Sequence, residues 1–346
     1  MNSPRSIEII GGGLAGLSLG LALRNGGIPV TVFEAGDYPR HRVCGEFITG
    51  LAASTITRLG LTACLTDALL HREVAWFTPA PTSDRPASVQ TLPSPALGLS
   101  RYALDARLAA AFTSAGGILH TKTRHPDPTS AAGRIFTTGR RRHSSGWLGL
   151  KIHVRCLSLA GDLELHLGDQ AYVGLARVED GAVNVCGLFR RRELCAKGAD
   201  LLFGYLQAAG LSLLATRLAA AELDPASFCA VAAVGFDRCT IPLETDRVGL
   251  GDACALIPPF TGNGMAMAFQ SAECALTPLL AYARGANPWP DTCRQIHHAL
   301  HRRFRLRLGA AHALHPFLLN PFRQRLLGAL GRARLLPLRP LYSVLH

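Results

Sequence analysis

The spacing of apolar and polar positions changes along the chain, and each change marks a different part. Glu8-Ile-Ile runs as a short apolar strand into Gly11-Gly-Gly13-Leu-Ala15-Gly16, after which apolar residues recur at helical spacing through Leu23. Gly26 and Gly27 stop that helix, and Ile28-Pro-Val-Thr-Val-Phe-Glu34 reads as a second strand ending on an acid. The pattern predicts a β-α-β unit of about thirty residues, the length a crossover connection needs. Ser100–Phe112 has helical spacing again. From Trp147 to Phe189 the period shifts towards two, in runs such as Lys151-Ile-His-Val-Arg and Leu163-Glu-Leu-His-Leu, with turns such as Glu179-Asp-Gly181 between them. That alternation predicts an antiparallel sheet. Further strands are expected around Val74–Phe77 and Val89–Leu92, and Leu201–Leu223 reads as one or two helices. Val248-Gly-Leu-Gly251-Asp252 is a short strand ending in Gly-Asp, followed by a proline- and glycine-rich loop and an alanine-rich helix through Leu280. Beyond Asp291, arginine alternates with leucine between breaks at Pro316, Pro321, Pro337 and Pro340.

Composition narrows the function classes. A length of 346 residues suits two domains at roughly 100–200 residues each. Hydrophobic residues at 48% and charged residues at 17% exclude a disordered chain. Ala253–Ala272 is long enough to span a bilayer but is interrupted by Pro258, Pro259, Asn263 and Gln270, so no transmembrane helix is expected. The first strand begins close to Met1, from which no secretory leader is expected. Ten scattered cysteines without a C-x-x-C pair point to a reduced, cytoplasmic protein. The net charge of +12 is uneven: ten arginines and no acids follow Asp291, while the rest holds 26 basic against 24 acidic residues. No zinc-finger or RNP pattern accompanies the charge, so nucleic acid is not an expected partner. The tail is expected to pack its leucines on the body; an anionic membrane surface, a carrier protein or a reductase are its alternative partners.

The glycine-rich stretch carries chemistry. Gly11 permits a tight turn, Gly13 lets backbone approach a pyrophosphate, and Gly16 allows close helix–strand packing. The helix that starts there offers unpaired N–H groups and a positive dipole end to phosphates. Glu34, eighteen residues past Gly16, can accept from ribose hydroxyls. A strand, a helix, a second strand and the terminal acid occur together, so the segment reads as a dinucleotide site. His297, His298 and His301 form an HHxxH, read as a solvated helix face because no acidic ligand stands nearby.

Gly11–Gly16 with Glu34, and Gly251-Asp252 followed by Pro259-Phe-Thr-Gly262-Asn263-Gly264, together resemble the p-hydroxybenzoate-hydroxylase-like flavoproteins. That superfamily contains aromatic hydroxylases, flavin-dependent halogenases and geranylgeranyl reductases. The resemblance implies an α/β fold in which a Rossmann-like FAD-binding domain (1–71, 100–142 and 240–290) carries an inserted mixed or antiparallel β-sheet substrate domain (72–99 and 143–239). A basic helical region (291–346) follows. It also implies non-covalent FAD held by Gly11, Gly13, Ala15, Gly16 and Glu34. Asp252 would hold the ribityl chain, and the Pro259 loop with the Gly262–Met265 backbone would face the flavin edge. Tyr38-Pro-Arg40-His-Arg42-Val-Cys44-Gly45-Glu46 resembles the P-R-x-K-x-C-G loop of the reductase branch, which makes Arg42, Cys44 and Gly45 wall residues beside the flavin. Arg101 leads a helix similar to the family's and is a candidate FAD contact. Trp147, in Gly146-Trp-Leu-Gly-Leu-Lys151, is a candidate cavity residue; the W-x-W-x-I-P of halogenases is missing. Thr138 stands where hydroxylases carry an acid that serves both FAD and NAD(P)H, so direct reduction by NAD(P)H is in question, with Arg140–Arg142 as a substitute phosphate contact. The implied activity is an FAD-dependent monooxygenase acting through a flavin C4a-hydroperoxide on an apolar, aromatic or polyketide-like small molecule. The alternatives are a reductase or dehydrogenase of the geranylgeranyl-reductase type, or a flavoprotein that modifies a partner macromolecule.

Overall fold

In the computed structural model, residues 3–78, 85–127, 129–140, 146–232, 234–235, 246–320, 322–324, 326, 329 and 344–345 are described. In chain order the elements are β1 (Ile7–Ile10), α1 (Leu14–Asn25), β2 (Val30–Phe33), β3 (Phe47–Ile48), α2 (Ala53–Leu59), β4 (Leu69–Phe77), β5 (Ser88–Gly98), α3 (Arg101–Ser114), β6 (Ile118–His120) and β7 (Arg134–Phe136). There follow β8 (Trp147–Arg155), β9 (Leu163–Gly168), β10 (Ala171–Arg177), β11 (Val183–Arg190), α4 (Ala199–Ala208), α5 (Ser212–Ala219), β12 (Glu222–Ala232), β13 (Val248–Gly249), α6 (Gly264–Ala283) and α7 (Trp289–Leu319).

Five short strands form a parallel sheet in the order β13-β7-β1-β2-β6. Parallel strands need both faces covered, which is why β1 and β2 are apolar apart from one polar position each, Glu8 and Thr31. Helices α1, α3, α6 and α7 supply that cover in one core with Ile7, Ile9, Val30 and Val32. The N-terminal β-α-β unit stands where the sequence places it. Gly20 lets α1 meet α3, since a Cβ there would lie 2.9 Å from the Phe112 ring.

The second sheet has eight strands in the order β12-β8-β11-β10-β9-β4-β5-β3, antiparallel except for the parallel pair β4–β9. The two-sheet α/β architecture with a helical C-terminal region is the expected fold class. The strands expected at Val74–Phe77 and Val89–Leu92 extend to Leu69–Phe77 and Ser88–Gly98. Their polar and proline residues hid the ends, and Pro93 and Pro95 fall where the β4–β5 register shifts. Leu201–Leu223 divides into α4 and α5, but Glu222 and Leu223 already belong to β12. That edge strand has no clean alternation because Pro225 sits in its bulge against β8. Phe47-Ile48, from the segment assigned to the cofactor half, pairs with β5 at the far edge of this sheet.

Helix α7 packs Ile296, Leu300, Phe304, Leu308 and Ala311 into the main core. The expectation that the tail leucines are buried fails at Leu326, which is 48% exposed. The apolar anchoring is made instead by α7, which ends before Leu326; Leu327, Leu330, Leu335 and Leu336 lie outside the described residues. Among the described residues no helix is long and apolar enough to cross a membrane.

The two faces of the second sheet differ. Leu150, Ile152 and Val154 of β8 pack with Val173, Val185 and the helices α4 and α5. Lys151 and His153 alternate with them and face the opposite way, beneath the loop Arg42–Glu46. A Cβ at Gly149 would lie 2.9 Å from Val43, so the loop rests directly on the strand. Glu46 takes a left-handed backbone, φ 57°, which is uncommon for a residue with a Cβ. Its buried carboxylate accepts from the Arg101 N–H at 3.1 Å and lies 3.3 Å from Lys151 Nζ and 2.6 Å from His153 Nε2. Lys151, itself fully buried, donates to His41 Nδ1 at 3.0 Å. Burial, then the Lys151 and His153 charges, lower the His41 pKa, which keeps that nitrogen free to accept. Asn184 adds a bond from its side-chain amide to the Cys44 carbonyl at 2.9 Å.

Removing one member of a buried charge group leaves its partners uncompensated, at a cost of about 3–5 kcal/mol. Urea unfolding should therefore show Glu46→Gln destabilised on that scale, with Glu46→Gln/Lys151→Met losing much less than the two single changes added. Additive losses would mean that the two residues do not act together.

Candidate cofactor and substrate site

At the end of β1, Gly11 takes φ +111° and a Cβ there would lie 2.3 Å from the Thr137 carbonyl oxygen of β7's end. At Gly16 a Cβ would meet the Gly11 carbonyl at 2.1 Å. Both positions admit only glycine. Gly13 differs: a Cβ on it would meet nothing within 4 Å. Gly13 is also the N-cap of α1, with no side chain closing the helix end. The first N–H groups of α1 therefore have no side-chain cap, and the space beside Gly13 is open, which suits an approaching anion.

Glu34 ends β2 and turns back to this helix end. It accepts from the Gly12 and Gly36 N–H groups, each at 2.8 Å, and pairs with Arg40 at 2.6 Å. Burial opposes its charge, but the Gly36 N–H, Arg40 and Arg42 outweigh it and hold the pKa below the ordinary carboxylate value. The partnership with Arg40 was not foreseen from the sequence; its only signal is a basic residue six positions on.

A second open helix end comes from the far end of the chain. Gly251 takes φ +59° and a Cβ there would lie 3.2 Å from Ala15 and 3.7 Å from Ala268. The next residue, Asp252, is thus set at the seam between α1 and α6. Its side chain reaches solvent, yet the protein around it raises its pKa by desolvation, opposed by Arg101, Arg140 and Arg42. Arg101 makes a two-pronged contact with buried Asp105, both prongs at 2.8 Å, and Arg42 joins the same carboxylate at 3.0 Å. Two guanidinium groups on one carboxylate leave an excess of positive charge beside Asp252. Gly264 opens α6, and a Cβ on it would meet nothing within 4 Å. The turn Pro259–Thr261 leads into Gly262, whose φ of +69° and contact with the Phe47 ring exclude a side chain. Asn263 leaves the helix end uncapped because its side chain is engaged elsewhere, accepting from the Thr49 hydroxyl at 2.8 Å and donating to the Leu345 carbonyl at 2.6 Å. Asn263 is fully buried, its N–H donating to Thr261 Oγ1 at 3.4 Å and its carbonyl accepting from the Met267 N–H at 2.8 Å, and the Met265 side chain is buried in the core.

Facing the Pro259–Thr261 turn, the second sheet is apolar. Leu165, Leu167, Tyr172 and Leu188 cluster with Leu318 of α7, with Trp76, Trp147 and Phe260 packed against them. His315 of α7 stands among three rings, with centroids 6.0 Å from Phe260, 6.1 Å from Tyr172 and 6.2 Å from Trp147. Burial, then His312, push its pKa down to about 4, so the imidazole is neutral at pH 7. The sequence singled out Trp147 in this cluster but missed Tyr172, Phe260 and His315, which come from three separate elements and share no local motif.

The remaining candidates fall as follows. Cys44 is half-buried against the main core and burial raises its thiol pKa, which keeps it a protonated thiol. Gly45 lies 3.2 Å, by its Cβ position, from Phe47. Thr138 is exposed at the end of β7, and Arg140 is half-buried near Asp252; Arg141 and Arg142 lie outside the described residues. His297 is not on a solvated face: it is buried, with Nε2 3.2 Å from the Arg247 carbonyl, while His298 points outward. Helical geometry sends adjacent residues to different sides, so the HHxxH is split. Among the described residues no group of three or more His, Cys, Asp or Glu could hold a metal ion.

No family model matches the chain. In sequence it is similar to the menaquinone reductase of Mycolicibacterium smegmatis, 24% identical over 136 residues; the match spans 39% of this chain and 33% of that protein's length. In structure it resembles PqsL of Pseudomonas aeruginosa, designated a probable FAD-dependent monooxygenase, with a TM-score of 0.72 at 15% identity over 94% of this chain and 99% of the other. The p-nitrophenol 4-monooxygenase PnpA of Pseudomonas putida gives a TM-score of 0.75 at 14% identity over 100% and 97%. A geranylgeranyl bacteriochlorophyll reductase-like protein of Thermoplasma acidophilum gives 0.75 at 15% identity over 98% and 95%. The chain thus has the fold shared by these flavin monooxygenases and this reductase-like protein, as the resemblance of its motifs implied.

Proposed function

We propose that the chain is an FAD-dependent oxidoreductase of the monooxygenase type, acting on an apolar aromatic or polyketide-like small molecule. The observation that carries the reading is the pair of open helix ends, at Gly13 and at Gly264, with Asp252 between them and an apolar aromatic face opposite. The donor set suits an extended dinucleotide. The α1 end would take the pyrophosphate, Glu34 the ribose and Asp252 the ribityl hydroxyls. The α6 end, with the backbone from Gly262 to Met265, would favour negative charge on the flavin ring edge. Arg42 and Arg101 would add positive potential, and Cys44 and Gly45 would form part of the ring's wall. Residues 1–71, 100–142 and 240–290 make the cofactor half in this reading, and 72–99 with 143–239 the substrate half.

Bound FAD would supply the redox chemistry. The chain's own part is to orient and to exclude water. Tyr172, Trp147 and Phe260 offer flat apolar surfaces, and His315 is a neutral imidazole that can exchange hydrogen bonds without carrying charge into a dry site. The structural relatives support a small aromatic substrate: PqsL has been captured with 2-aminobenzoylacetate, and PnpA is named for p-nitrophenol. A second reading, reduction of a quinone or an alkene, is favoured by the stretch similar to menaquinone reductase and by the reductase-like fold relative. Oxygen uptake in step with product separates the two.

The purified protein should be yellow and release FAD on denaturation; a colourless protein, or release of FMN, sinks the proposal. Gly13→Val should abolish flavin binding by filling the approach to the α1 end. Asp252→Ala should weaken binding, measured by flavin release, by about 1.5–3 kcal/mol, the worth of a charge-assisted hydrogen bond.

With Thr138 in place of an acid, stopped-flow reduction by NADPH alone should run far below the order of 10 per second typical of turnover. Reduction at that rate without substrate or partner reductase would transfer the role to Arg140 and its neighbours.

A further inference from the structure

We propose that the outward face of α7 is a docking surface for an anionic lipid bilayer. The helix has 31 residues, and its inward stripe of Ile296, Leu300, Phe304 and Ala311 is buried. At 3.6 residues per turn, Arg294, His298, Arg302, Arg305 and Leu306 fall on the other side, and all five are exposed. Asp291 neutralises Arg294 at 2.7 Å, and Arg303 leans away towards Glu273 at 3.7 Å. Arg302 and Arg305 make no ion pair among the described residues, and no acid follows Asp291 in the sequence.

Charge alone would suit a face meant only for water. Apolar exposure argues otherwise: Leu306 is 69% exposed, Phe317 37%, Phe322 77% and Leu326 48%. Arg323 lies over the Phe317 ring at 4.9 Å. Arginines interleaved with exposed leucine and phenylalanine match the chemistry of a membrane interface, where guanidinium groups meet phosphates and apolar side chains enter the acyl boundary. A protein partner would instead be expected to meet a compact apolar centre ringed by polar groups. Here the apolar residues are strung out along α7 and past its end.

The test uses the full chain and needs no turnover, so its failure is separate from failure of the redox reading. Co-sedimentation should show binding to phosphatidylcholine vesicles that contain phosphatidylglycerol and not to phosphatidylcholine alone. The binding should fade between about 0.1 M and 1 M salt, as the Debye length falls from ~10 Å to ~3 Å. Arg302→Gln/Arg305→Gln should weaken it by about 30-fold, at roughly fivefold for each arginine near the surface. A Leu306→Trp reporter should shift its emission to the blue on acidic vesicles. Equal binding to neutral vesicles, or an unchanged double variant, would overturn the proposal. So would retention on immobilised polyglutamate without vesicle binding, which would indicate an acidic protein partner. Full displacement by inorganic phosphate at constant ionic strength would indicate a free-anion site, and that too would overturn it.

Discussion

Glu46 has a buried carboxylate on a left-handed backbone, so the loop that carries it can rest only where its partners converge. Those partners come from two separate elements: Lys151 and His153 from β8 of the eight-stranded sheet, and the Arg101 N–H from the first turn of α3. An isolated buried carboxylate is costly, and a charge group of this kind adds orientation more than stability. The result is that Arg42, Cys44 and Gly45, immediately upstream, are held at a fixed height over β8. The side chain of Arg101 goes on to Asp105 and meets Arg42 there. One carboxylate thereby registers the loop, the helix and the sheet against each other.

The proposed site follows from that registration together with two helix ends. Neither α1 nor α6 carries a side-chain cap, although a cap is the common way to satisfy the first N–H groups. At α6 the omission is enforced: Asn263 is a good capping residue by type, but its side chain is tied to Thr49 and Leu345. In the proposed reading, uncapped N–H groups, an acid between them and surplus arginine charge would suit an elongated anion with a polyol middle. A conventional proton-transfer cluster is not required where a bound cofactor carries the chemistry, and the protein's share becomes position, dryness and field.

The legibility of the sequence divides along the same line. Gly11 and Gly16 were readable because the turn leaves no room for a Cβ, and that constraint is local to a few residues. The place of Asp252 just past β13 was readable through its motif, and α6 through its alanine-rich period. Arg40 beside Glu34, and His315 among Trp147, Tyr172 and Phe260, were not, since each contact joins elements whose relative placement is a tertiary property. The edge strand β12 escaped because a bulge at Pro225 erases its alternation. Glu46 and Lys151 were each inside a quoted segment, but nothing in either period reveals that they meet. A partial cue did exist: the run Lys151-Ile-His-Val places two basic side chains on one face of a strand whose other face is apolar, and in this molecule the loop Arg42–Glu46 covers that basic face. Two basic groups on a covered face require an acid from elsewhere.

The identity of the basic partner narrows the matter further. The chain carries 33 arginines and only three lysines, yet the fully buried cation at the junction is Lys151. A guanidinium presents five N–H donors in a rigid fork and needs acceptors for most of them, whereas an ammonium is compact and has three. Lys151 has the Glu46 carboxylate and His41 Nδ1 around it, with apolar or sulfur-bearing neighbours such as Cys186 and Cys229 opposite on the sheet. An arginine in that position would bury donors without acceptors and push on a loop that already lies against Gly149. His41 completes the fit only while neutral, because a protonated ring has no lone pair for Lys151 and would place a second cation beside it. The lowered pKa of His41 is therefore the consequence of the same junction, and the loop beside the proposed flavin site is set by a balance of one acid, one compact cation and one histidine kept uncharged.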